Sequence, residues 1–305
     1  MSVSAVCLIH RPMLRRQRTT LAVLTAAQQP LPSTELFKLM FLLGQETFIG
    51  RDNTFYEFVP YRYGPFSFAL NRELEALTAY GYARAEQSGP TTSYAITDPG
   101  AKEAKLADSD TMRATKVIVS KYGKRGLRVL LKDVYARYPW YSTRSELKDL
   151  IPANAPVLPV AQPAIYTIGY EGRSVDGFLD DLLRVGIRLI LDVRANPVSR
   201  KYGFASTALR RITEKLEIGY EHWPALGIPS EKRHGVESSE DFRQLFIYYQ
   251  RELLPKRAAE IRKVAERIAT TPAALLCMEK DPRDCHRSRL AAALAETSKL
   301  SIVHL

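Results

Sequence analysis

Apolar and polar positions alternate in two different ways along the chain. Between residues 32 and 100 helical spacing gives way to short β-rich stretches, whereas from Ile165 onward apolar runs alternate with amphipathic segments. Pro32-Ser33-Thr34-Glu35 opens a helix carried by Leu36, Leu39, Met40 and Leu43 and stopped at Gly44. Phe55–Tyr61 is aromatic and β-rich, Gly64-Pro65 punctuates it, and Ser67 caps a second helix that runs to Tyr80 before Gly81. Strands at Tyr82–Ala85 and Ser93–Thr97 flank the turn Gln87-Ser88-Gly89-Pro90, and Asp98-Pro99-Gly100 leads into a further helix.

In the second regime the pattern predicts a strand at Ile165–Gly169, a helix from Ser174 to Gly186, and strands at Arg188–Val193 and Tyr220–Trp223 around a helix at Ser206–Leu216. A polar segment, Gly227–Ser239, precedes a long helical stretch to Ala269 that is broken at Pro255. Ala273–Glu279 reads as a buried strand, Arg287–Thr297 as a helix and Ser301–Leu305 as a closing strand. Strands separated by helices predict an α/β domain with a doubly wound, mostly parallel sheet.

The run Pro152–Ala164 has four prolines and no charge, the composition of a semi-rigid linker. The expected organisation is therefore a flexible basic tail over 1–20, a helical and β-hairpin domain over 21–151, a linker over 152–164 and the α/β domain over 165–305. Helix, hairpin, helix is the order of a winged helix-turn-helix. Leu77 and Gly81-Tyr82, then Tyr94-Ala95-Ile96-Thr97 and Gly100, resemble the recognition-helix end and wing of bacterial winged-helix proteins. Lys38, Phe41-Leu42-Leu43 and Phe58–Phe66 resemble a prokaryotic regulator or antitoxin-like group.

Charge sharpens this picture. The chain has 305 residues and a net charge of +11, of which residues 1–160 hold 21 basic and 14 acidic side chains (+7) and residues 161–305 hold 23 and 19 (+4). Thr111–Lys148 concentrates the excess, with ten basic and two acidic residues. An acidic partner is expected, nucleic acid first and DNA before RNA, with Arg72, Lys116, Lys121, Lys124, Arg125 and Arg128 as candidate contacts. A solvated helix face is the competing account of that run. The aromatic group Tyr135, Tyr138, Trp140 and Tyr141 fits core packing better than base stacking. Three cysteines (Cys7, Cys277, Cys285) exclude a disulfide framework, and no apolar run is long enough for a membrane span. A cytoplasmic protein is expected, with homodimerisation left open.

In a doubly wound sheet the functional crevice lies beyond the carboxyl ends of the strands. Three polar groups sit there: Gly169, Tyr170, Glu171 and Arg173; Asp192, Arg194, Asn196 and Ser199; and Glu279, Asp281, Cys285, His286 and Arg287. The segments Thr167–Ser174, Leu191–Arg200 and Leu276–Pro282 with Cys285-His286-Arg287 resemble the DUF488 family, and Ile218-Gly219-Tyr220, Leu226-Gly227 and Val303-His304-Leu305 fit it too. That resemblance implies an α/β fold and a polar strand-end site, and no particular reaction.

Asp192, Glu279, Cys285 and His286 are the catalytic candidates; Gly169, Tyr170, Arg173, Arg194, Asn196, Ser199 and Arg287 are the substrate or anion-binding ones. Arginine forks match phosphate, and Asp192 or Glu279 could serve as general base. The leading expectation is a DNA-associated enzyme, a hydrolase or lyase acting on nucleic acid or a nucleotide. One rival is a non-catalytic regulator sensing an anionic ligand, another a rhodanese-like sulfurtransferase using a Cys285 thiolate. The short Cys285-His286-Arg287 spacing departs from the glycine-containing loop of rhodaneses. A purely structural ion network is the remaining reading. No cofactor is expected, and no metal, because neighbours such as Cys285 and His286 rarely ligate together even with His304 nearby. His222 and His234 read as isolated.

Overall fold

The structure, a computed structural model, describes residues 12–305. The described residues up to Tyr56 together with Arg62–Pro152 form one compact unit, and Ala153–Leu305 with Glu57–Tyr61 form the other. Cys7, His10 and the first eleven residues of the expected tail lie outside the described residues.

In the first unit α1 (Arg15–Ala27) already begins inside that tail, and Thr19–Leu24 are buried, so the tail expected through residue 20 ends no later than Leu14. Then come β1 (Leu31–Pro32), α2 (Ser33–Glu46), β3 (Gly64–Phe66) and α3 (Phe68–Ala79), while β2 (Val59–Tyr61) belongs to the second unit. The Ser67 hydroxyl accepts a hydrogen bond from the Leu70 amide and so caps α3. The hairpin β4 (Ala83–Ser88) and β5 (Thr91–Ile96) is joined by β1, which pairs antiparallel with β5, giving the order β1-β5-β4. Helices α4 (Asp98–Ala104), α5 (Ser109–Tyr122) and α6 (Leu127–Arg137) complete the unit. Its core is α2, whose residues Leu36–Leu43 are all buried, Lys38 among them.

The second unit alternates strand and helix as the apolar pattern requires: β6 (Ile165–Gly169), α7 (Val175–Val185), β7 (Leu189–Asp192), α8 (Ser206–Glu214), β8 (Gly219–His222) and α9 (Ser239–Tyr248). A π-helical turn at Tyr249–Leu253 and a 3-10 turn at Leu254–Arg257 separate α9 from α10 (Ala258–Thr270), which accounts for the break at Pro255. The chain ends in β9 (Ala273–Cys277), α11 (His286–Ser298) and β10 (Ile302–His304). The five strands form one all-parallel sheet in the order β10-β6-β9-β7-β8. Every residue of β6, β7 and β9 is buried, as expected for strands covered on both faces.

Register then brings the strand ends together. Gly169 of β6 pairs with Cys277 of β9, and Asp192 of β7 pairs with Leu276. β9 is central, so its exit loop runs between the ends of β6 and β7.

Candidate functional site

Three networks occupy this edge of the sheet, and two of them are closed on themselves. Asp192 is fully buried; Arg194 Nε donates to its Oδ1 at 2.8 Å, Arg194 Nη2 to its Oδ2, and the Tyr220 hydroxyl to the same Oδ2 at 2.6 Å. The remaining Arg194 nitrogen, Nη1, donates to the Phe204 carbonyl at 2.9 Å. Burial works against the Arg194 charge, but its bonds to Asp192 outweigh that and hold its pKa above the ordinary value. Tyr220 is pushed up by burial and by the adjacent carboxylate. Asp192 and Arg194 were expected as a base and an anion clamp. They instead form a satisfied ion pair, because residues two apart on an extended segment face the same side.

Arg287 is likewise wholly buried: Nη1 donates to the Glu279 carbonyl, Nη2 to the Lys280 carbonyl at 3.0 Å and Nε to the Thr167 hydroxyl at 3.4 Å. Its expected anion-binding role is corrected to a clamp on the backbone after β9. Gly169 belongs to the same construction. A Cβ there would lie 1.9 Å from the Glu279 carbonyl oxygen, so only glycine lets the two backbones meet. The Lys280 amide donates to Glu171 Oε2 at 3.0 Å and ties the loops together again.

Other expected ligand-binding residues are also committed elsewhere. Tyr170 is buried and stacks on Phe204 at 4.4 Å with Arg194 over its ring, so it packs rather than binds. Arg173 pairs with Asp181. The Ser199 hydroxyl accepts from the Lys201 amide in a local turn, and Asn196 is solvent-exposed.

The third network is a thiol–imidazole cluster. Cys277 at the end of β9, Cys285 at the N-cap of α11 and His286 at its first position are buried together, their ligating atoms within 4.8 Å of one another. Cys277 Sγ donates to Glu279 Oε2 at 3.1 Å and lies 3.6 Å from His286 Nδ1. The imidazole Nε2 is 3.1 Å from the Val193 carbonyl, and Arg233 Nη2 approaches Nδ1 at 3.5 Å. A guanidinium can only donate, so Nδ1 is the acceptor and Nε2–H donates to Val193. Tyr249, from the π-helical turn, meets the ring edge to face at 5.3 Å.

Burial and the neighbouring Cys277 thiol push the Cys285 thiol far up, which corrects the expectation of an activated thiolate there. Glu279 goes the other way. Burial opposes its ionisation, yet the hydrogen bonds from the Cys285 thiol, a backbone amide and the Cys277 thiol hold its carboxyl below the ordinary range. Its side chain is 22% exposed with Oε1 3.9 Å from Arg233 Nη1, and the residue borders a cleft of about 800 Å³ lined also by Glu171, Lys280, Asp281, Arg283, Asp284 and Arg289. His304 Nδ1 bonds the Thr167 hydroxyl at 2.7 Å and takes no part in the thiol cluster. Sequence reasoning missed Cys277 and Arg233. Cys277 had a signal: two residues before Glu279, it lies on the same side of an extended segment.

In the first unit the six candidate nucleic-acid contacts are all exposed, Arg72 on α3 and the others on or beside α5 and α6. Among them Lys121 pairs with Glu46 at 3.0 Å, Arg125 with Asp133 at 4.0 Å and Arg128 with Asp149. Exposed pairs of this kind contribute little to stability and are easily exchanged for other anions. The aromatic group is packed, with Tyr138 and Tyr141 edge-on to Phe41 and Tyr135 fully buried. Among the described residues no helix is long and apolar enough to cross a membrane.

Fold and site together define a parallel α/β domain with a buried thiol–imidazole cluster beside the Glu279 carboxylate at its strand ends. The family model described as "Domain of unknown function DUF488" matches residues 174–294, and this C-terminal region is a DUF488 domain. The match contains the Asp192–Arg194 and Cys277–Arg287 segments but begins after Thr167–Arg173. No curated protein and no solved structure matches the chain.

Proposed function

We propose that this chain is a nucleic-acid-associated enzyme whose first unit docks on DNA and whose second unit hydrolyses a nucleic-acid component, Glu279 acting as general base. The observation that carries the reading is the Glu279 carboxylate, held below the ordinary range on a residue that borders a cleft lined by Lys280, Arg283 and Arg289 beside Glu171, Asp281 and Asp284. A general base must be unprotonated and reachable, and side-chain cations suit a phosphate-bearing substrate. Asp192, Arg194 and Arg287 act in this reading as positioning residues. In the first unit, α2, α3 and a hairpin with β1 as its third strand support a winged-helix module. The exposed cations Lys116 and Lys124 support phosphate contact.

The test is turnover of single- and double-stranded DNA, RNA and free nucleotides by the full chain and by Glu279→Gln. Loss of turnover with DNA affinity unchanged supports the reading; wild-type turnover in the variant refutes it. The rival, a regulator sensing an anion, draws on the closed Asp192 and Arg287 networks, which need no substrate. It predicts DNA affinity that responds to a small anion and no turnover. Sulfur transfer is disfavoured by the buried, hard-to-ionise Cys285.

A further inference from the structure

Behind Glu279 three metal-ligating side chains converge from two elements. A tetrahedral zinc site with bonds of about 2.3 Å to sulfur and about 2.0–2.1 Å to nitrogen holds its donors roughly 3.5–3.8 Å apart. Cys277 Sγ and His286 Nδ1 are 3.6 Å apart, and Cys285 Sγ lies within 4.8 Å of both. Only a small closure is needed.

Two further observations favour ligation over mere packing. First, Nε2–H of His286 donates to the Val193 carbonyl, leaving the Nδ1 lone pair facing the two sulfurs. That is how a backbone acceptor orients a metal-ligating imidazole. Second, Cys285 and His286 face the same interior although they are adjacent. Cys285 is extended (φ −133°, ψ 140°) while His286 opens α11, and the backbone turns between them. The reason for expecting adjacent residues not to ligate together is thereby removed.

We propose that Cys277, Cys285 and His286 bind one zinc-class divalent cation, with its fourth position turned toward Glu279 and occupied by water. Two thiolates balance the double charge, so the buried centre is neutral. Glu279, whose Oε2 lies 3.1 Å from Cys277 Sγ, is placed to take a proton from the bound water. On binding, Arg233, whose Nη2 lies 3.5 Å from Nδ1, moves aside and keeps its ion pair with Glu279 Oε1. The role of the water rests on the reading of Glu279 as a base; the metal site does not depend on nucleic acid.

The experiment loads the reduced full-length chain with Co²⁺. Thiolate-to-cobalt charge transfer and the intense d–d bands of tetrahedral cobalt should appear, saturate at one ion per chain and vanish when Zn²⁺ is added. Cys277→Ser and Cys285→Ser should each lose much of the charge-transfer intensity, with circular dichroism confirming the fold. Wild-type chain gives a second reading that needs no variant. Zn²⁺ should protect both buried thiols from alkylation during urea pulses, and a chelator should abolish that protection. Glu279→Gln should retain the cobalt spectrum.

No charge transfer in the reduced wild type, together with no zinc-dependent thiol protection, overturns the proposal. Loss of the spectrum in Glu279→Gln overturns the open fourth position by making Glu279 a ligand. An intact spectrum without turnover on any nucleic acid would instead defeat the hydrolase reading alone.

Discussion

Lys38 offers the sharpest quantitative test of the first unit. It lies 2% exposed in the middle of α2, its Nζ donating to the Pro65 carbonyl at 3.0 Å, and burial lowers its pKa to about 7. It sits beneath the turn into β3, where Gly64 has φ +91° and a Cβ would lie 2.6 Å from the Tyr135 ring. The sign follows from proton binding. Between about 7 and the ordinary 10.5 the unfolded chain holds a proton that the folded chain has released, so this group makes stability rise with pH across that window. Relative to a neutral side chain, Lys38 costs roughly 4 kcal/mol at pH 7 and roughly 1 kcal/mol at pH 10.

Lys38→Met removes that cost but forfeits the bond to Pro65, a loss of about 1–3 kcal/mol if the carbonyl stays dry. The variant should therefore be more stable than wild type at pH 7 by about 1–3 kcal/mol, and lose that advantage by pH 10. Urea unfolding of both chains at the two pH values measures it. The quantity to compare is the change in the wild-type-to-variant difference, about 3 kcal/mol, because every other titrating group cancels in it. An unchanged difference between pH 7 and pH 10 would refute the argument that Lys38 is neutralised by burial.

Arg194→Ala should lower the stability of the second unit by about 3–5 kcal/mol, read from the urea midpoint, because it strands a buried carboxylate. Arg194→Lys should rescue little, since three directed bonds become one. Gly169→Ala should push the Glu279–Lys280 backbone away, lower the melting temperature and speed thiol labelling of Cys277 and Cys285; wild-type labelling rates would mean the close approach is soft. DNA affinity should fall steeply with salt, and alanine at both Lys116 and Lys124 should reduce the log–log slope by about 2. A salt-independent affinity would remove phosphate contact from the account.

Much of the second unit was legible because its strands are buried on both faces and read as continuous apolar runs between amphipathic helices. Leu189-Ile190-Leu191 and Ala273–Leu276 leave little alternative to central strands. The convergence of three polar segments followed from topology alone, and register puts their strand ends together. Roles were less legible. An arginine that binds phosphate and one that spends its donors on carbonyls look the same in sequence, and only the fold shows that Arg194 turns back on Asp192 while Arg287 turns into the loop after β9. Cys277 read as one more apolar strand residue, since a thiol in a buried strand differs from valine only by what meets it. The start of α1 was missed because the four arginines at positions 11, 15, 16 and 18 resemble a tail; Arg15 pairs with Asp52 and Asp108, and Arg16 with Glu73.

The two closed arginine networks bear on how the site can be dissected. Asp192–Arg194 fixes the exit of β7, where the Val193 carbonyl receives His286 Nε2–H. Arg287 fixes the Glu279 and Lys280 carbonyls, and with them the segment that carries the Glu279 side chain. Both frames therefore end on the backbone that holds the thiol–imidazole cluster and Glu279. Removing either arginine should destroy any activity by letting that backbone drift, and the loss would imitate that of a substrate-binding residue. Variants that spare the frame are the informative ones. Glu279→Gln keeps every backbone contact and changes one charge at the cleft, so a loss of turnover there points to chemistry, whereas the same loss in Arg194→Ala or Arg287→Ala points only to position.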